Sequence, residues 1–482
     1  MAELDFATIT RRTIQGFFSL AFVQLVSSVL VFILAGIVEP RTFGVFIVVS
    51  ASISFLTYFS DIGLAAALIQ KKENVTDDDL TTTFTIQQTL VIVIVAVGFL
   101  STGFVSSFYD LDRQGTLLFQ ALLVSFFLSS LKTIPSVKLI RSIQFFKISV
   151  TQVLETFIFN GIAVFFALKG FGTTSFTYAV LGRSVVGLLA IYTIAPWKVS
   201  IGISKESMKK LLSFGIPIQT NSILALVKDD LLTIVLGKIL PLAQVGYIGF
   251  AQKSAFLPLR LMMDKIIQVT FPAFSRLQED KRGLLVAIEK TMFGLAFFIF
   301  PATIGLVVLA PYAITVIPKY SRWEQAMPSL TFFAINAIFS SISTPLTNIL
   351  NAIGKVRITF YFMIFWTAAT WILTLVLIQL VGFVGVSIAA AIIASSVVVV
   401  VYIARRFAPF NIVKPIRLPL FASIIMGGVL YFLSPLFVSD IPMFILAIIL
   451  GAVLYFGILF TVSRNEMKSD LRTLFRHLRH SS

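Results

Sequence analysis

The stretch that decides the fold is ITFYFMIFWTAATWILTLVLIQ, residues 358–379, which contains no charged residue. A helix of about 20 apolar residues crosses a hydrocarbon layer of roughly 30 Å. Similar runs recur along the whole chain, in which 57% of the 482 residues are hydrophobic and 12% are charged, with a mean hydropathy of +0.97. Because no soluble core requires such a composition, the sequence predicts an all-α, polytopic membrane protein.

Fourteen transmembrane helices are predicted from these runs. The first run exceeds a signal-peptide core and has no small-residue cleavage site, so we expect it to be a permanent span. The predicted spans are residues 13–38, 43–69, 83–108, 116–135, 148–168, 176–195, 211–236, 244–270, 286–310, 325–350, 358–379, 385–404, 418–437 and 442–462.

Lysine and arginine are concentrated in alternate loops, which predicts the orientation of the chain. The basic-poor loops hold only Arg41, Arg113, Lys169, Lys238, Lys319 and Arg322. Cytoplasmic loops carry an excess of Lys and Arg. We therefore expect a multi-pass protein of the cell membrane with both termini in the cytoplasm. Most of the net charge of +16 follows from this topology, so no nucleic-acid partner is expected.

The chain lacks the residues that several kinds of catalytic and metal sites need. It has no cysteine, and its two histidines, His477 and His480, lie in the last six residues. Thiol catalysis and a histidine-based zinc site within the membrane are therefore excluded. We expect a protein that is not an enzyme and has no cofactor, with coupling to Na⁺ or H⁺ left open.

A weak internal repeat predicts two related lobes. At an offset of 202 positions, the sequence from Leu34 to Gly44 aligns with that from Leu236 to Gly246, with Leu, Ile and Gly in common. Six helices separate the copies, so both have the same orientation, as in transporters built from parallel repeats. The predicted division is an N-terminal lobe, a C-terminal lobe, two further helices and a basic amphipathic tail, at residues 1–195, 196–405, 406–462 and 463–482.

Ionisable residues inside the spans are the candidate functional groups, since charge at membrane depth is costly and usually marks a site. On the eighth span, Lys253, Arg260 and Asp264 fall on one helical face, and Pro258 between them should kink the helix. On the seventh span, three adjacent charges, Lys228, Asp229 and Asp230, cannot share a face, so at least one should pair laterally or reach the membrane surface.

These charges suggest a site for an anion. Arginine and lysine suit phosphate groups, so we expect Arg183, Lys253 and Arg260 to form a cationic patch for substrate. Coupling or gating is assigned to the acidic residues Asp61, Asp229, Asp230 and Asp264. The alternative is that the charges form local ion pairs that stabilise the bundle. For Arg183 and the nearby Glu155, the alternative is bonding between helices.

Several segments resemble a known family. Asp61-Ile-Gly-Leu-Ala-Ala-Ala-Leu-Ile-Gln-Lys-Lys72, Pro40-Arg-Thr-Phe-Gly44, Gly246-Tyr-Ile-Gly-Phe-Ala-Gln252 and Phe271-Pro-Ala-Phe-Ser-Arg-Leu-Gln-Glu-Asp280 are similar to segments of the Wzx-type flippases for O-antigen and exopolysaccharide. These belong to the polysaccharide branch of the multidrug/oligosaccharidyl-lipid/polysaccharide exporter superfamily.

The resemblance implies a fourteen-helix transporter with a cationic cavity. Such a protein moves a polyprenyl-pyrophosphate-linked oligosaccharide from the cytoplasmic to the outer leaflet by alternating access. The implied partners are this substrate, membrane lipids, and a glycan polymerase or other polysaccharide-assembly proteins.

Two other functions remain as alternatives. A drug/cation antiporter of the same superfamily would favour an acidic, aromatic cavity over the basic eighth span. A membrane glycan polymerase or ligase would present a large external loop with catalytic arginines, and the predicted loops are short.

Overall fold

The computed structural model describes Val26, Leu30 and residues 32–71, 73–278 and 280–462, and every regular element within them is helical. Most of the first predicted span and the tail at 463–482 lie outside these residues. We number the helices α1 (Pro40–Asp61), α2 (Leu64–Gln70), α3 (Asp77–Leu100), α4 (Thr102–Phe108), α5 (Arg113–Ser130), α6 (Thr133–Arg141), α7 (Phe145–Leu168), α8 (Thr174–Ile194), α9 (Lys205–Leu226), α10 (Leu232–Ile239), α11 (Leu242–Ala255), α12 (Leu257–Arg276), α13 (Lys281–Val316), α14 (Met327–Ala352), α15 (Val356–Val381), α16 (Gly385–Ala394), α17 (Val397–Arg405), α18 (Val413–Phe437) and α19 (Ile441–Val462).

The prediction of an all-α membrane protein is confirmed. Nine helical segments in the described part are long and apolar enough to cross a membrane, or ten if α5 and α6, bent by 43° at their junction, form one broken span. Helical segments occupy every predicted span from the second to the fourteenth. Several of these spans are interrupted in their interior, so the total of fourteen stays a prediction.

The chain forms two compact units, Met1–Gly249 and Phe250–Ser482. In the first unit α8 packs against α5 and α7, and a core cluster of α2, α3 and α6 includes Leu64, Phe84 and Ile134. In the second unit α13 packs along α18, and another cluster is centred on Ile288 and Phe410. The division into lobes proposed from the repeat stays a prediction.

The segment beginning at Asp61 forms a helix break followed by a short capped helix. Helix α1 ends because Ile62 and Gly63 have φ angles of 45° and 73°, in the left-handed region. The guanidinium of Arg141 then donates hydrogen bonds to the carbonyls of Leu68 and Lys71, at 2.5 and 2.9 Å, and to those of Ile69 and Glu73. These include carbonyls that the end of α2 leaves without helical partners. The arginine thus terminates α2 at the side of the basic loops.

The internal repeat appears in the structure as a reciprocal backbone contact between α1 and α11. A Cβ atom added to Gly44 would overlap the carbonyl oxygen of Leu242, and one added to Gly246 would overlap that of Pro40. Gly44 and Gly246, and likewise Pro40 and Leu242, are equivalent under the 202-residue offset. Each copy of the repeat therefore contributes a glycine that packs against the equivalent backbone carbonyl of the other copy. Only glycine permits the helices to approach this closely.

We expect the substitution Gly44→Ala to destabilise the protein by about 1–3 kcal/mol, because the added methyl group must push a backbone carbonyl away. Thermal unfolding in detergent, followed by the fluorescence of the four tryptophans, measures the effect. Gly161→Ala in α7 is the matched control, since nothing lies within 4 Å of its added Cβ. The control should unfold at the same temperature or slightly higher, because alanine favours a helix. Equal losses in both variants would contradict the close-contact interpretation.

Candidate functional site: a buried ion-pair cluster

The candidate site is a cluster of three charged side chains of the first unit, contributed by α7, α8 and the junction between α5 and α6. Glu155 of α7 is 7% exposed and accepts from two cations. Its Oε1 lies 2.6 Å from Nζ of Lys132, at the junction of α5 and α6, and its Oε2 lies 3.4 Å from Nε of Arg183 on α8. We call these three residues the charge cluster. It combines two basic side chains with one acidic side chain.

The charge cluster lies near the middle of two helices that are long and apolar enough to cross a membrane. Glu155 is about 15 Å along α7 from its start at Phe145, and Arg183 is about 14 Å along α8 from Thr174, at about 1.5 Å per residue. The hydrocarbon layer is roughly 30 Å thick. A carboxylate buried in a membrane without a partner would cost several kcal/mol, and the two cationic neighbours of Glu155 offset part of that cost.

Arg183 is exposed on a side of α8 that does not carry the exposed apolar residues. Its side chain is 54% exposed, whereas those of Lys132 and Glu155 are 18% and 9% exposed. The exposed residues Tyr178, Val185 and Leu189 form one stripe. At about 100° per residue, Arg183 lies about 140° around the helix from the centre of that stripe. The guanidinium therefore faces away from the surface of α8 suited to hydrocarbon.

Hydrogen bonds fix the helices around the charge cluster. The hydroxyl of Tyr192 on α8 donates to the carbonyl of Leu131, beside Lys132, at 3.1 Å. Gln88 of α3 and Ser130 of α5 exchange hydrogen bonds of 3.0 and 3.1 Å. Gly187 gives the carboxylate room, since a Cβ there would overlap Oε1 of Glu155. The site is thus built between defined backbone positions and does not depend on a mobile loop.

A second group of polar residues surrounds the acidic pair of the seventh predicted span. Lys228, Asp229 and Asp230 form a single π-helical turn, Val227–Leu231, between α9 and α10. Such turns often occur at functional sites. Lys228 pairs with Asp229 at 3.6 Å, which is the expected lateral pairing, and Ser54 of α1 donates to Oδ2 of Asp230 at 3.1 Å. These acidic residues line an open cavity of about 450 Å³ with Thr57 and Tyr58.

The other predicted site residues are distributed between the two units. Lys253 and Arg260 belong to the second unit and are both exposed. Helix α11 ends at Ala255 and α12 begins at Leu257, so the helix is interrupted just before Pro258, while the kink predicted at Pro258 itself stays a prediction. A single patch that joins this pair with Arg183 stays a prediction. Asp61 and Asp264 lie in α1 and α12, and their side chains are outside the described part.

Lys132 is the residue that the sequence interpretation missed. It lies within the predicted span 116–135, and an ionisable residue inside a span is by itself a candidate functional residue. It is close to the end of that span, and no charged residue is adjacent to it in the sequence. Only the bend between α5 and α6 and the packing of α7 place it against Glu155.

Comparisons with known proteins agree with this architecture. The chain is 25% identical over 340 residues to the lipopolysaccharide biosynthesis protein WzxC of Escherichia coli (strain K12), covering 70% of this chain and 68% of that protein. It is 24% identical over 364 residues to the succinoglycan biosynthesis transport protein ExoT of Rhizobium meliloti (strain 1021), covering 74% and 70% respectively.

The fold is also similar to a solved structure titled lipid II flippase MurJ, inward closed conformation. The TM-score is 0.76 at 16% identity, and the match covers 95% of this chain and all of the other. A family model described as polysaccharide biosynthesis protein matches residues 33–328, more than half of the chain. The chain therefore belongs to this family of polysaccharide biosynthesis proteins.

Proposed function

We propose that the protein is a flippase that moves a polyprenyl-pyrophosphate-linked oligosaccharide from the cytoplasmic to the outer leaflet of the cell membrane by alternating access. The observation that carries this proposal is the charge cluster, which holds an exposed guanidinium near the middle of membrane-length helices and has two basic side chains to one acidic side chain. A pyrophosphate must cross the middle of the membrane when its lipid changes leaflet. Fixed cationic donors offset part of the cost of moving its charge away from water.

The names of related proteins support this substrate class. WzxC is named for lipopolysaccharide biosynthesis and ExoT for transport in succinoglycan biosynthesis, and both products are polysaccharides. The similar solved fold is titled as a flippase of lipid II. A transport role needs no catalytic group, and we propose that the protein is not an enzyme and uses no cofactor. The proposed topology places both termini in the cytoplasm, on the side of the basic loops.

Arg183, Lys253 and Arg260 are the proposed contacts for the pyrophosphate. We propose that Arg183 acts in the first unit and that the exposed pair acts in the second. Asp229 and Asp230 are proposed to bind the coupling cation, because carboxylate and hydroxyl oxygens suit Na⁺ and a carboxylate can also carry a proton. Asp61 and Asp264 remain further candidates for coupling or gating.

We expect Arg183→Ala to reduce flipping at least about tenfold, since a hydrogen bond to a charged group contributes about 1.5–3 kcal/mol. The assay uses liposomes that contain the purified protein and a fluorescent polyprenyl-pyrophosphate oligosaccharide, with accessibility of the glycan to an external lectin as the readout. Lys253→Ala and Arg260→Ala should lower the rate in the same direction. Arg357→Ala, an exposed arginine at the start of α15, is the matched control and should transport normally.

The same liposomes distinguish the flippase from the drug/cation antiporter. A flippase should move the lipid-linked glycan and give no proton- or sodium-driven uptake of a cationic dye. Normal glycan flipping by correctly inserted Arg183→Ala, Lys253→Ala and Arg260→Ala variants would refute the proposed contacts. Dye transport without glycan flipping by the unmodified protein would refute the function itself.

Asp230→Asn should weaken the coupling of transport to an ion gradient, because it removes the carboxylate that accepts from Ser54. Flipping by the unmodified protein should depend on an imposed Na⁺ or H⁺ gradient, and that of the variant should not. The measurement compares initial rates with and without each gradient. Asp440→Asn, at the start of α19, is the control and should keep the dependence. A variant that retains full dependence would remove Asp230 from the coupling site.

A further inference from the structure

We propose that Lys132 is a positioning residue for the anion site: it holds the carboxylate of Glu155 and so leaves the outer nitrogens of Arg183 available to a pyrophosphate. This inference rests on the proposed function only for the identity of the anion. Lys132 itself does not need to contact the substrate. Its role is to determine how much of the positive charge of Arg183 remains for a ligand.

The two bonds to Glu155 are unequal. The ammonium group of Lys132 lies 2.6 Å from one carboxylate oxygen, whereas Nε of Arg183 lies 3.4 Å from the other. A distance near 2.7–2.9 Å is typical of a strong bond between an ammonium group and a carboxylate. Lys132 is therefore the main partner of the carboxylate, and Arg183 is a weaker second partner.

The geometry of Arg183 leaves donors unused. Nε is the guanidinium nitrogen that bonds to Glu155, and among the described residues the two terminal nitrogens have no hydrogen-bond partner. A guanidinium held from behind through Nε presents its outer edge, which matches two oxygens of a phosphate. Since the side chain is 54% exposed, that edge is accessible.

Removal of Lys132 would change both the charge and the geometry. The cluster would then contain one carboxylate and one guanidinium, with no net charge. Carboxylates commonly bind arginine through two parallel hydrogen bonds when no other cation competes. Arg183 would be drawn toward Glu155 in this way, and its outer edge would no longer be presented to a ligand.

The position of Lys132 is fixed by the fold. It lies at the 43° bend between α5 and α6, and the preceding carbonyl, of Leu131, is bonded to Tyr192 of α8. Its side chain is 18% exposed, so its charge is mainly directed to the carboxylate and little to solvent. Gly187 lets that carboxylate lie against the backbone of α8. Lys132 thus compensates the charge of the Glu155 carboxylate, while Arg183 remains oriented toward the ligand.

The test is a double-mutant cycle on the binding of inorganic pyrophosphate to the purified protein in detergent, measured by calorimetry. Lys132→Met should weaken binding about tenfold, which corresponds to about 1.4 kcal/mol. Lys132→Met combined with Glu155→Gln should restore binding to within about threefold of the unmodified protein, because no carboxylate then competes for Arg183. Lys132→Arg should retain binding, since it keeps the positive charge. Thermal unfolding of each variant checks that it is folded.

The rescue separates positioning from other roles of Lys132. A lysine that only stabilised the bundle, or that contacted pyrophosphate directly, would not be replaced by Glu155→Gln, and the double variant would bind as weakly as Lys132→Met. That result would overturn the proposal, as would unchanged binding by Lys132→Met.

The cycle remains decisive if Lys132→Met does not fold. In that case Glu155→Gln and the double variant are compared directly. A positioning role predicts similar affinities, and a tenfold difference would overturn it.

If the unmodified protein flips the lipid-linked glycan in liposomes but does not bind pyrophosphate, the anion site is refuted while the flippase function stands. Absence of flipping with the predicted pattern of pyrophosphate binding would refute the function and retain the site.

Discussion

Hydrocarbon offers no hydrogen-bond partner to a peptide group, and this constraint governs both the helices of the protein and the places where they break. An uninterrupted helix satisfies its own backbone, whereas a break exposes carbonyl and amide groups that need other partners. In this protein polar and charged residues occur at these breaks. Lys132 lies between α5 and α6, Asp229 and Asp230 lie in the π-helical turn after α9, and Lys253 and Arg260 flank the junction of α11 and α12. Several candidate functional groups therefore lie where the helical ladder is irregular, whereas Glu155 and Arg183 lie within the regular helices α7 and α8.

The charge cluster illustrates why a buried ion pair is better understood as a way of positioning side chains than as a source of stability. The desolvation of two charges can cost as much as their attraction returns. Glu155 is shared between a lysine that is largely buried and an arginine that is largely exposed. Glu155 and Arg183 alone would form a neutral pair that only bridges two helices. The additional positive charge of Lys132 makes the cluster suitable for an anion. The alternative of purely structural ion pairing accounts for Glu155 but not for the exposure of Arg183.

Close backbone contacts complement these polar sites. The reciprocal glycines Gly44 and Gly246 bring together the starts of two helices that are equivalent in the internal repeat, without side chains between them. Gly63, in the left-handed turn after α1, likewise meets the backbone of Gly215 on α9. Arg141 then caps the short helix α2. The segment from Asp61 to Lys72, by which the sequence resembles the flippases, thus contains a sharp turn, a close helix contact and a capped helix end.

The sequence by itself determined the membrane class, the helical content and the position of nearly every described span, because hydropathy is a local property that a window of about 20 residues averages reliably. It also identified Arg183 and Glu155 as polar groups in neighbouring helices, and it identified the family. Tertiary structure alone decided which charges meet. Lys132 and Glu155 are 23 positions apart, and their contact depends on a bend and on helix packing. The pairing of Ser54 with Asp230 spans 176 positions. Local sequence patterns do not reveal contacts between residues so far apart in the chain, since the rotation and crossing of whole helices determine which side chains meet across a bundle.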